Sequence, residues 1–368
     1  MSEIRLSPAG IAALGAAAAC WDEGCEGNSA AHGRPGFPVV ATLLALAQNR
    51  HATVAELLLA LVTGYEIGAR AGELWRIPPG WHVDGGWHSL AVAAGVARMV
   101  SGPGSIQPAI EAAACQIPAS LYLPIAVGSV VRNTYPSHAV LLGIMAASAA
   151  SAGFDMPSGV LEEGRKLILR ASSQIAPTPA GQWTVLEGYL KLFVGVRHTH
   201  YGVEAALRLR KNPAFSLEKI SAIKLQVYGE AVQYCGNRAP RTVIQAQFSL
   251  SYSIAAALVL GELGPDAYDD VANPAIARLE KLVVIVVDPE RVRRGANLTI
   301  DFGKIQLVES AENIVGDPAR PITKDDVIRK FHRYVEPNLG RNRAQALVDF
   351  FIDGDGKQAA YKCFELAS

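Results

Sequence analysis

With 368 residues, half of them hydrophobic, and 34 basic side chains balanced by 34 acidic ones, the chain has room for two domains and a large core. It carries no net field to draw nucleic acid or an anionic membrane. Its five cysteines (Cys20, Cys25, Cys115, Cys235 and Cys363) are odd in number and lack CxxC or zinc-finger spacing, which argues against a disulfide framework or a structural zinc and for a reducing, cytoplasmic setting.

The alanine-rich N-terminal run is followed at once by acidic residues, so it does not read as a secretion signal, and no segment reads as a transmembrane span. Residues 21–38, WDEGCEGNSAAHGRPGFP, have the glycine and proline content of a loop and carry His32 and Arg34. Helical spacing follows over 39–47 and 54–70. Residues 80–98, GWHVDGGWHSLAVAAGVAR, place His82 and His88 in a glycine-rich turn that runs into a helix apolar on almost every side. Helices are predicted over 103–119 and 139–152, and the polar segment before the second holds Arg132, Tyr135 and His138 beside a helix start that favours anions.

After about residue 180 the pattern changes. Residues 188–209 lead into a helix, 220–228 alternate as a strand does, a helix is predicted over 246–260, and strands over 282–287, 296–302 and 304–308. Residues 322–334 and 341–351 return to helical spacing. The fold class expected is mainly α with an inserted α+β domain: residues 1–184 and 316–368 form an all-helical domain, and 185–315 the α+β domain.

Five stretches in this order resemble the MmgE/PrpD family, which includes 2-methylcitrate dehydratase, cis-aconitate decarboxylase and iminodisuccinate epimerase. They are GYEIGAR at 64–70 with Gly80-Trp81-His82 after it, the basic loop and small-residue helix from Arg132 to Ala152, the segment from Lys191 to Glu204 with its Thr-His pair, AQFSLSY at 246–252, and GDPARPITKDDVIRKF at 316–331. The chain departs from the family pattern at Cys20 and Arg34, and Arg132 stands where many members have a lysine; a guanidinium stays protonated and is no ordinary proton shuttle.

The resemblance implies a two-domain homodimer that moves a proton next to a carboxylate with neither metal nor organic cofactor. Histidine suits such work near neutral pH, and arginine grips carboxylates in a fork. On that basis His82 and His200 are the expected acid/base pair, with Tyr252 assisting and Arg132 as carboxylate clamp. His32, Arg34, His88, Tyr135 and His138 are further substrate-binding candidates. A metal reading of the histidines lacks HExxH or paired-carboxylate spacing. The expected activity is that of a lyase, a hydro-lyase or decarboxylase, on a small carboxylated substrate. An epimerase, isomerase or cyclase of a specialised pathway is the second reading, and a non-catalytic ligand-binding relative the third.

Overall fold

The computed structural model describes residues 6–48, 51–169 and 176–368. The first half is mainly helical rather than all-helical as expected, since Glu26–Asn28 pairs with Gly188–Leu190 and Trp81–His82 with Ser120–Leu121 as short antiparallel strands. Its longest helix, Val54–Leu74, begins with a reciprocal cap: Thr53 Oγ accepts the Glu56 N–H at 3.2 Å, and the Glu56 carboxylate accepts the Thr53 N–H at 2.8 Å. Helix His88–Val100 is buried on every side from its first residue to Ala97, lying between Val54–Leu74 and Tyr135–Ser151. Two glycines set the spacing. A Cβ on Gly64 would stand 2.7 Å from the Ala91 carbonyl oxygen, and one on Gly143 would stand 2.6 Å from Val92.

The second half holds a four-stranded sheet in the order Val283–Val287, Ala222–Val227, Ala296–Asp301, Gln306–Ala311. The first pair is parallel and the others antiparallel. Alternation puts Ile223, Leu225 and Val227 on one buried face with Ala296, Leu298 and Ile300. Helices His200–Arg210 and Leu250–Leu260 pack on this sheet.

Two apolar cores result. One gathers Val203, Leu225, Ile254 and Leu298. The other joins Leu43, Leu57 and Val92 to Leu347, Phe350 and Cys363 from the end of the chain. Backbone hydrogen bonds stitch that end to the first half, Val54 N–H to the Gln358 carbonyl and Ala360 N–H to the Ala52 carbonyl. No helix among the described residues is long and apolar enough to cross a membrane.

Three elements differ from their sequence expectation. The helix expected over 246–260 breaks into Val243–Gln247 and Leu250–Leu260, because Ser249 turns its hydroxyl to the Tyr252 N–H at 3.2 Å and caps a new helix. The helix expected over 103–119 ends at Ala114, short of Pro118. The strand expected over 304–308 runs from Gln306 to Ala311, paired throughout with Ala296–Asp301.

The close approach at Gly64 generates a test. Gly64→Val forces a methyl-bearing carbon against the Ala91 carbonyl and should lower unfolding stability by about 1–3 kcal/mol, read as a fall in the urea midpoint. A midpoint equal to that of the unaltered protein contradicts this packing.

Candidate active site

Three tight loops bring polar side chains to one place. In the first, Glu23 adopts a left-handed backbone (φ 53°) directly after helix Pro8–Cys20, which turns its carboxylate inward. In the second, Asn28 Oδ1 accepts the N–H groups of Ala30 and Ala31, and Gly33 passes so near Trp87 that a Cβ would come within 2.6 Å of the indole; Arg34 follows. The third is the turn from Gly80 to Gly86. Gly85 (φ 88°) lies where a Cβ would meet Ser120 Oγ at 2.7 Å, so only glycine fits and Asp84 is carried into the interior.

The outcome is a buried ionic network. The Glu23 carboxylate receives hydrogen bonds from Arg132 and Lys191 and lies 3.0 Å from Arg34 Nη2. Asp84 receives Arg34 and lies 3.5 Å from Arg132. Three cations thus face two carboxylates. Burial alone would raise both carboxyl groups, but Arg34 and Arg132 overrule it, with Lys191 at Glu23 and the two histidines at Asp84, and hold both well below the usual carboxylate range.

Cys20 Sγ, Glu23 and Asp84 are close enough together to hold a metal ion. Each of the three already receives a guanidinium, Cys20 from Arg34 at 3.2 Å and from Arg132 at 3.1 Å. Burial pushes the Cys20 thiol up to about 12, so it offers no thiolate. This donor set is built around arginine.

Above the network lies a cavity of about 200 Å³ lined by residues of both cores. It is smaller than the roughly 300–1,000 Å³ of drug- and cofactor-sized sites. Of the residues expected from sequence, His82, His32 and Arg34 line it. The structure does not bring the others there. Arg132 is fully buried beneath, committed to Glu23, Cys20 and Asn133, and is a support of the network rather than a clamp on substrate. His88 is enclosed, stacked on Trp87, with Nε2 at the Arg34 carbonyl. His200 is wholly buried, its Nε2–H directed at the carbonyls of Val194 and Gly195 at 3.1 Å each. Tyr252 is buried with its hydroxyl donating to the Ala267 and Asp270 carbonyls. Tyr135 donates to the Leu121 carbonyl, and His138 is exposed on the outer face of its helix.

The cavity instead holds His198, two residues before His200, and Lys191, Arg197, Arg294, Glu230, Tyr122 and Tyr234. His198 lies in the 3-10 turn Arg197–Thr199 and His200 opens the helix His200–Arg210 that follows, so one ring faces the cavity and the other the core. Periodicity carries no signal for which of two such closely spaced rings turns outward. A row of rings joins the two cavity histidines, with centroids 6.1 Å apart from His82 to Tyr122, 5.8 Å from Tyr122 to Tyr234, and 5.8 Å from Tyr234 to His198.

The tautomers follow from the hydrogen bonds. His82 Nδ1 accepts the Asp84 N–H at 3.0 Å, so in the neutral ring the proton sits on Nε2. His198 Nδ1 shares a 2.6 Å hydrogen bond with the Tyr228 hydroxyl, which serves either tautomer. Among the described residues no protein group pairs with Nε2 of either ring. Burial lowers His82 to about 4 despite Asp84, and burial with Arg294 and Lys191 holds His198 well below its ordinary value. Both rings are neutral at pH 7.

The family model described as the MmgE/PrpD N-terminal domain matches residues 2–178, and that of the MmgE/PrpD C-terminal domain matches residues 193–351. No curated protein matches the chain.

The neutral buried histidines give a pH dependence of stability. His82 and His88 are both lowered to about 4 by burial, against 6.5 in the unfolded chain. Between those values the unfolded chain binds protons that the folded chain refuses, so stability is fully present above pH 6.5 and falls as the pH drops toward 4. His88→Gln should make that fall shallower in urea midpoints measured at pH 7 and pH 5. An unchanged slope would show that His88 is not held neutral.

Proposed function

Because the chain belongs to the MmgE/PrpD family, which includes dehydratases and related enzymes, we propose that it is a cofactor-independent lyase acting on a small carboxylated substrate by proton abstraction next to a carboxylate. One observation carries this reading: two neutral imidazoles, His82 and His198, line one small cavity rimmed by cations, and neither Nε2 has a protein partner among the described residues. The roles follow from the tautomers. In the tautomer whose Nδ1–H donates to the Tyr228 oxygen, one of the two that this hydrogen bond serves, His198 has a bare Nε2 that takes the proton from carbon. His82, with its proton on Nε2, donates to the oxygen on which enediolate charge develops. The proton then on His198 protonates a leaving hydroxyl, or goes back to carbon in the isomerase reading of the same cleft.

The same proposal includes a reducing, cytoplasmic setting, in keeping with five unpaired cysteines, and a division at about residues 185 and 315, in keeping with the two apolar cores. It also includes a homodimer. Leu14, Val130, Val131, Leu141 and Met145, on packed neighbouring elements, are each about half exposed, an apolar face of the kind that marks protein contacts. Light scattering at micromolar concentration should give twice 39.0 kDa, and Met145→Glu should reduce that to one copy. A monomeric mass for the unaltered protein removes the dimer.

His198→Gln should cut solvent-deuterium exchange at the α-carbon of di- and tricarboxylates by about 10² to 10⁴. His200→Gln should act on stability first, since its Nε2–H serves two carbonyls of its own loop. Exchange unchanged in His198→Gln and abolished in a folded His200→Gln reverses the assignment.

A further inference from the structure

Phe, Trp and Tyr make up 7% of the chain but seven of the 24 residues that line the cavity. Besides the cations that a carboxylate needs, this site has a continuous row of rings along its wall, which a hydroxylated polyacid would leave unused. The Tyr122 hydroxyl donates to the Tyr234 carbonyl at 3.2 Å and fixes the row where the two halves of the cleft meet. Tyr234 remains 37% exposed even so. Its ring has His198 on one side and Tyr122 at an angle, and the rest is left open.

The cations of the cavity are unequal. Arg34 and Lys191 are committed to the buried network; Arg197 gives one nitrogen to Asp317 under the Tyr189 ring and keeps Nε and Nη1 buried without a partner among the described residues; Arg76 donates to the Ala30 carbonyl at 3.0 Å. Arg294 has as its only charged partner among the described residues Glu230, at 3.9 Å, beyond hydrogen-bond reach. Its side chain is 20% exposed, so a mostly buried guanidinium faces the cavity with donors to spare. It is also the charge that bears most on His198.

We propose that the cleft takes a carboxylate bearing a planar apolar group, an aryl or conjugated substituent, with the acid on Arg294 and the ring along Tyr122 and Tyr234. The inference rests on the carboxylate reading of the cleft given above. It fits the chemistry, because it places the carbon between acid and ring beside His198. Loss of its proton there gives a carbanion spread over the carboxylate and the π system together. The C–H electron pair passes into that delocalised system and the proton goes to Nε2.

The test compares succinate, phenylsuccinate and the uncharged phenylsuccinamide by titration calorimetry on the full chain. Phenylsuccinate should bind about tenfold or more tighter than succinate, as burial of a phenyl ring against aromatic side chains implies. Tyr234→Ala, at a partly exposed position where folding is retained by circular dichroism, should erase that advantage while leaving succinate within about twofold. Arg294→Gln should weaken both acids by about tenfold, as loss of a charged hydrogen-bond donor does. Succinate binding with no gain from the phenyl group overturns the ring site and leaves the carboxylate reading intact. Binding of neither acid overturns both, and phenylsuccinamide binding as tightly as phenylsuccinate overturns the role of Arg294.

Discussion

The placement of the cavity depends on a charge imbalance sealed inside the protein. Glu23 and Asp84 are shared among Arg34, Arg132 and Lys191, and these five side chains come from five separate stretches of chain. Removing either carboxylate leaves three buried cations facing a single anion, at about 3–5 kcal/mol, so the loops that supply the five side chains are held together by the network itself. The stiffness this gives the floor of the cleft is what lets the turn from Gly80 to Gly86 present His82 in one tautomer.

The same charges explain why histidine works here in its neutral form. Cations surround His198, from Arg294, Lys191 and Arg197, and protonation there would add a further positive charge in a desolvated space. A ring that resists protonation in the resting site is a weak base. Taking a proton becomes easier once an anionic ligand has offset the arginines, so in the reading proposed for the cleft the base is strengthened by its own substrate.

Much of the architecture was legible because apolar periodicity is a strong signal where whole helices are buried. The helix from His88 has no polar face for ten residues, and the alternation at Ala222–Val227 fits a sheet with one covered side. Site residues were legible where glycine punctuates a turn, as at His82. Elsewhere the sequence says which residue types are near but not which way they face. Arg132 and His200 are polar residues at helix starts, as an active site would have them, yet the hydrogen bonds each makes go to groups inside the protein. Arg294 lay in a loop between strands with no motif about it, and only the fold brings it opposite His198 and Tyr234.

Lys330, on helix Lys324–Leu339, donates to the carbonyls of Gly24 and of Lys191. It therefore clamps the two backbone segments that deliver Glu23 and Lys191 to the ionic network, from a position some 300 residues later than the first of them. A chain emerging from the ribosome builds its N-terminal helices first, and until residue 191 is made it holds Glu23 with neither Lys191 nor Lys330 in place. Helix Lys324–Leu339 thus holds the floor of the proposed site from a distant part of the chain, and the ionic network has all its backbone supports only after both halves have folded together.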